Sequence, residues 1–179
     1  MMAGNAYTHY DFDSIQTVTV GSGGQSTISF TSIPATYTHL QVRITAKSAR
    51  TGSAEDTTLI AFNNVTSAAS YASHQLRGDG STAVSGSVTS TYTGLTGILP
   101  TSTTSNIFGV QVIDILDYAN TNKNKTTRCL MGNDQNGSGY TALYSNLFLS
   151  TSAISRIDFT TVTASNFSQY SSFALYGIK

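Results

Sequence analysis

From Leu40 to Lys47 the side chains alternate without a break. Leu40, Val42, Ile44 and Ala46 fall on one side; Gln41, Arg43, Thr45 and Lys47 fall on the other. A strand sends successive residues to opposite faces, whereas a helix repeats near 3.6 residues. This run therefore predicts a strand with one buried face and one wet face. The same period, less pure, recurs along the chain. Ser14–Val20, Gln25–Thr31, Thr57–Phe62, Val84–Tyr92, Asn106–Leu116, Thr126–Met131, Tyr140–Leu149, Ile154–Thr163 and Gln169–Ile178 all read as strands. No segment carries three turns of helical periodicity, and no strand–helix–strand unit is visible. The expectation is an all-β chain, an antiparallel β-sandwich or jelly roll of about ten short strands. Its 179 residues suit one domain. Residues 14–179 would form the sandwich. Residues 1–13, polar and aromatic without a period, would form an extended N-terminal arm.

Local patterns sharpen this picture. Two β-rich runs flank Gly21-Ser22-Gly23-Gly24, so Ser14–Val20 and Gln25–Thr31 are expected to pair as a hairpin. Gly94–Ser105 reads as a loop. Asn106–Leu116 is apolar on both parities, which predicts a central strand. Gly78-Asp79-Gly80 marks a tight turn. The C-terminal strand is the expected exposed edge, closed by a neighbouring subunit.

Composition decides between order and disorder. Charged residues make up 10% of the chain, far below the usual quarter, and Ser and Thr supply roughly 30% in their place. Disordered chains lack aromatics and carry net charge. This chain has 10 Tyr, 8 Phe and a net charge of +0. The hydroxyl residues are expected on the wet strand faces, where they give a surface of low charge that tolerates copies of itself. Neutrality also argues against nucleic acid and anionic membrane as partners, since both call for clustered Lys and Arg. No run approaches the ~18 apolar residues of a membrane span. The one cysteine, Cys129, rules out an internal disulfide. With no basic, apolar leader at the start, folding in a reducing cytoplasm is expected.

Residues capable of chemistry are few. The histidines are His9 in the arm, His39 at a strand start and His74 before the turn at Arg77-Gly78-Asp79. No nucleophile elbow accompanies them. Asp114 and Asp117 are the best carboxylate pair, yet their spacing sends them to opposite faces of a straight strand. Asp134-Gln135-Asn136-Gly137-Ser138-Gly139 has oxygen ligands at alternating positions but lacks the distal Glu of a calcium loop. No enzymatic activity, metal or cofactor is expected. Tyr92, Tyr118, Tyr140 and Tyr144 lie in or near loops and are the candidates for contact with a glycan. The absence of Trp weakens that reading.

Three stretches carry a family resemblance. One runs from Ser14-Ile15-Gln16-Thr17-Val18-Thr19-Val20-Gly21-Ser22-Gly23-Gly24 through Ile28–Phe30 to Ile33-Pro34-Ala35-Thr36-Tyr37-Thr38-His39-Leu40. Another is Asp114-Ile115-Leu116-Asp117-Tyr118-Ala119-Asn120-Thr121-Asn122-Lys123. The third is the ending, Tyr170-Ser171-Ser172-Phe173-Ala174-Leu175-Tyr176-Gly177-Ile178-Lys179. Together they resemble virion structural proteins of tailed bacteriophages, including phages of aquatic hosts and cyanobacteria. The resemblance implies a non-enzymatic virion component, folded in the host cytoplasm. A capsid decoration (cement) protein on the outer capsid surface is the expected role. Its partners would be capsid proteins and copies of itself, as a homotrimer on a three-fold lattice site. The alternative is a tail-fibre or receptor-binding module that touches host glycan. In the first role Tyr7, His9, Tyr10 and Phe12 of the arm would clasp a neighbouring subunit, burying rings while hydroxyls find partners at the wet rim.

Overall fold

Residues 12–89, 91–103 and 105–179 are described by the structure, a computed structural model. Twelve strands follow one another: β1 (Phe12–Thr19), β2 (Ile28–Phe30), β3 (His39–Ala46), β4 (Glu55–Phe62), β5 (Tyr71–Gly78), β6 (Ala83–Thr89), β7 (Gly94–Pro100), β8 (Gly109–Ile115), β9 (Lys125–Asp134), β10 (Gly139–Phe148), β11 (Ile157–Thr161) and β12 (Ser172–Ile178). One 3-10 turn, Ala68–Ser70, precedes β5. The strands form two antiparallel sheets. The larger has eight strands in the order β1-β12-β3-β8-β9-β10-β5-β6, and the smaller has four in the order β2-β11-β4-β7. Their facing sides share one apolar core, so the chain is a β-sandwich with two strands more than the period alone suggested. No helix among the described residues is long and apolar enough to cross a membrane.

β3 follows the alternation from which it was read. Leu40, Val42, Ile44 and Ala46 are buried, while Arg43 and Thr45 are exposed. Its inward residues meet Ile113 and Ile115 of β8 and Phe173 and Leu175 of β12 in the core. An aromatic cluster joins the layers. Phe173 of β12 lies 5.5 Å from Phe159 of β11 and 4.9 Å from Phe167, and Phe159 meets Phe30 of β2 edge-on at 6.3 Å.

Four local expectations are corrected. β1 and β2 do not form a hairpin: β1 pairs with β12 and β2 with β11. The Gly-rich segment instead carries the chain from one sheet to the other. Gln25 exchanges backbone bonds of 3.1 and 2.8 Å with Phe167 at the crossing. Gly24 sits there with φ +75°, and a Cβ on it would lie 2.7 Å from the Phe167 carbonyl oxygen. Second, Gly94–Pro100 is not loop but β7, with every residue buried. Its small residues hid it, and they are what let it lie close under the larger sheet. A Cβ on Gly97 would meet the Gln111 amide at 2.8 Å.

Third, β12 is not an edge. It lies between β1 and β3, so the chain's own first strand closes it, and the edges of the large sheet are β1 and β6. Fourth, β1 begins at Phe12, inside the segment read as an arm. β8 is central, as its sequence implied, with Gln111, Ile113 and Ile115 inward and Val110 and Val112 in solvent.

Hydroxyls do more than coat the wet faces. Ser73 donates to Asn146 Oδ1 at 2.6 Å, and Asn146 Nδ2 donates to Thr127 Oγ1 at 3.0 Å. Ser73 Oγ also accepts from the Leu95 backbone N–H of the opposite sheet at 3.2 Å. Gln111 Nε2 reaches across to Thr58 Oγ1 at 3.1 Å. Buried polar groups must find partners inside, and here short hydroxyl side chains bridge the two layers.

Two core tyrosines make the fold sensitive to alkali. Tyr71 donates to the Val65 carbonyl at 2.8 Å and accepts from the Phe62 N–H at 2.9 Å. Burial pushes the phenols of Tyr71 and Tyr144 up to about 12 from an ordinary value near 10. Ionisation is thus suppressed in the folded chain and ordinary in the unfolded one. The stability these groups contribute is complete below pH 10 and is lost as the pH rises toward 12. A shift of this size corresponds to about 3 kcal/mol per tyrosine. In an alkaline titration, tyrosinate absorbance near 295 nm is expected to rise in a second, cooperative step. Loss of the β circular-dichroism signal should coincide with that step.

Candidate functional site

The outer face of the eight-stranded sheet departs from the usual polar surface. Side chains in register across neighbouring strands form rows. Val112 of β8 is opposite Leu130 of β9, Leu130 opposite Leu143 of β10, and Leu143 opposite Leu76 of β5. All four point outward, and they are 40%, 60%, 47% and 56% exposed. Val110, one step along β8, is also exposed. Strands lie about 4.8 Å apart, so the row spans roughly 14 Å across the middle of the sheet. A single exposed leucine needs no explanation, but a registered ladder is a contiguous apolar patch of the kind that marks an interaction surface.

The surroundings of the ladder are polar and internally neutral. In the next row, Asp114 accepts from Arg128 Nε at 3.0 Å and from Gln41 Nε2 at 2.9 Å. Arg43 lies beside Val112 in the ladder's own row and donates through Nε to Gln41 Oε1 at 2.9 Å. Its guanidinium sits over the rings of Tyr176, at 4.9 Å, and Phe12, at 5.5 Å. The apolar surface therefore continues toward β1 as an Arg-capped aromatic pair. On the other flank, the small residues Ser85, Gly86 and Ser87 of β6 leave a shallow depression of about 520 Å³ beside Leu76, Leu143 and His74. The face thus offers both a ridge and a hollow.

The structure separates the residues singled out from sequence. Phe12 lies on this outer face and is exposed. Tyr7, His9 and Tyr10 lie outside the described residues. Of the four tyrosines considered for glycan contact, Tyr118 and Tyr144 are buried and unavailable to one. The Tyr118 hydroxyl donates to the Pro34 carbonyl and accepts from the Tyr37 N–H, fixing a corner of the fold. Tyr144 points inward because it follows outward Leu143 on β10. Tyr140 is half-buried with the Arg77 guanidinium over its ring at 5.1 Å. Tyr92 alone of the four is exposed, and it lies against the smaller sheet.

The remaining chemical candidates hold structure. Asp117 bonds Lys123, and that hydrogen bond holds its carboxyl below the usual range. The Asp117 N–H donates to His39 Nδ1 at 2.9 Å. Asp79 accepts from the N–H groups of Ser81 and Thr82 at 2.8 and 2.7 Å, which shapes the β5–β6 turn and lowers its own pKa. In the β9–β10 turn Asp134 Oδ1 accepts from the Asn136 N–H at 2.9 Å. Among the described residues no three His, Cys, Asp or Glu side chains gather as metal ligands would. The Cys129 thiol is buried on β9, and desolvation pushes its pKa up.

Sequence reading missed Leu76, Leu130 and Leu143. Leu130 and Leu143 neighbour inward Met131 and Tyr144 in runs apolar on both parities, which look like core, whereas Leu76 stands between Gln75 and Arg77 in a segment not read as a strand. The signal was present: two apolar faces on strands that the small sheet can cover on one side only. Compared with protein-family models, curated proteins and solved structures, the chain matches none.

Proposed function

We propose that this chain is a capsid decoration protein of a tailed bacteriophage. It acts without catalysis, as a homotrimeric clamp seated through the outer face of its eight-stranded sheet on neighbouring capsid subunits. The observation that carries the reading is the ladder Val112–Leu130–Leu143–Leu76, held in register on four central strands and left in solvent. Among the described residues no second layer packs over that row, which leaves it open to a partner. Full burial of a leucine contributes about 1.5–3 kcal/mol. The four half-exposed residues would supply part of that each, and repeated copies on a lattice would multiply it by avidity. The rim suits dense packing, because Asp114, Arg128 and Arg43 are already satisfied within the chain. Tyr7, His9 and Tyr10, next to Phe12 in the chain, are the proposed clasp onto an adjoining subunit. The protein stabilises the shell by binding the assembled state alone, which is mass action. The resemblance to virion structural proteins supports a place in the particle.

The number of copies in purified particles tests the proposal. A decoration protein is expected to be stoichiometric with the capsid subunit or a simple fraction of it. Far fewer copies, localised to the tail by immunogold labelling, would replace this reading with the tail-fibre alternative.

A further inference from the structure

The opposite side of the sandwich carries a second feature that the assembly reading does not use. Over the outer face of the four-stranded sheet lies a groove of about 430 Å³. Its floor is a two-by-two array: Asp158 of β11 is opposite Ala61 of β4, and Thr160 is opposite Leu59. Tyr92 lines it as well, 38% exposed. Arg156 and Asp158 contribute its charged part.

That charged pair is rigid and neutral as a unit. Arg156 donates to Asp158 through Nε at 2.8 and 3.0 Å and through Nη2 at 2.8 Å. Ser29 Oγ donates to Asp158 Oδ1 at 2.6 Å, and Arg156 Nη2 also reaches Ser29 Oγ at 3.2 Å. The carboxylate beside it holds the Arg156 pKa above its ordinary value. Among the described residues Arg156 Nη1 has no partner, and Asp158 Oδ2 accepts from Arg156 alone. The pair therefore keeps one donor, Arg156 Nη1, on the guanidinium edge turned away from the carboxylate, and one acceptor, Asp158 Oδ2, with the Thr160 hydroxyl one residue pair along the strand.

We infer that this groove binds a neutral saccharide. Sugar hydroxyls both donate and accept, and Arg156 Nη1, Asp158 Oδ2 and the Thr160 hydroxyl offer the groove a donor, an acceptor and a group that can be either. The apolar C–H face of a sugar ring suits the exposed Tyr92 ring and the Leu59–Ala61 floor. Charge complementarity decides against an anionic ligand, because Arg156 is already neutralised by a bidentate partner. The volume falls within the range of small-molecule sites, at its lower end, and fits one or two sugar rings. The site does not depend on the assembly proposal, since it lies on the other layer of the sandwich.

The purified full chain, applied to a printed array of neutral and acidic oligosaccharides, is expected to bind a neutral member. The best binder would then be titrated by isothermal calorimetry. Tyr92→Ala is expected to weaken binding at least 10-fold with the fold retained, because Tyr92 lies between β6 and β7 and outside both sheets. Asp158→Asn, near-isosteric, should weaken it similarly. Leu130→Glu with Leu143→Glu, on the far face, should leave it unchanged. No binding on the array, binding to acidic members alone, or a titration indifferent to both Tyr92→Ala and Asp158→Asn would overturn the inference. Failure of the capsid reading would leave these results as they are.

Discussion

Phe173→Ala is expected to destabilise the fold by about 3–5 kcal/mol, the range for removing a buried ring and leaving a cavity. Phe173 is fully buried on β12 and touches rings from two directions, Phe159 on the opposite sheet and Phe167 at the crossing between layers. Its removal strips both contacts and the area they bury. The neighbours cannot close the gap cheaply, because each ring is fixed by a strand or bridge of its own. In a domain of this size the loss corresponds to a fall in melting temperature on the order of 10 °C. Thermal unfolding followed by circular dichroism checks it. Phe173→Leu, which keeps most of the volume, should recover more than half of the loss.

The second large effect belongs to a polar residue. Lys125 opens β9 and is 1% exposed, yet its ammonium group donates to carbonyls and not to a carboxylate. The acceptors are Asn120 at 2.5 Å, Lys123 at 3.0 Å and Thr151 at 2.9 Å. Two separate loops, the one before β9 and the one after β10, are thus tied to a single buried cation. Burial, and then the nearby Lys123 charge, lowers its pKa. Lys125→Met keeps the stem and removes the donor, leaving three carbonyls short of a partner. Bonds to a charged donor contribute about 1.5–3 kcal/mol each, offset in part by relief of the buried charge. A net loss of about 3 kcal/mol is expected by urea denaturation. Lys123→Met, which breaks the exposed ion pair with Asp117, should cost under about 1 kcal/mol.

How much of this could be read in advance depended on whether the information was local. β3 was legible because every second residue is apolar and its partners cover one face only. The all-β class followed from the same period repeated. The β1–β2 hairpin misled because Gly-rich turn chemistry is a local signal, whereas pairing was decided by strands at the other end of the chain. β7 was missed because its Gly94, Gly97 and Pro100 have little strand propensity. Gly97 lets β7 lie close to Gln111 and Met131. The ladder was hidden for the opposite reason: Leu130 and Leu143 sit in runs so apolar that burial on both faces looked natural. Tyr118 shows the limit of loop-based reasoning, since a tyrosine next to a polar loop proved to be a core residue with its hydroxyl satisfied. Tyr92 kept its place because its surroundings leave it in solvent.

The ladder is the centre of the account, and occupancy on purified particles of a Leu130→Glu, Leu143→Glu variant tests it most directly. The two carboxylates would face each other across β9 and β10, so the isolated variant should stay folded but lose about 1 kcal/mol of stability. Seated on a capsid, two carboxylates would have to lose water at an apolar contact, a cost of several kcal/mol. Each 1.4 kcal/mol is a factor of 10 in affinity. The account predicts at least a tenfold fall in copies per particle for a variant that circular dichroism shows to be folded. Parental occupancy by the folded variant would contradict it.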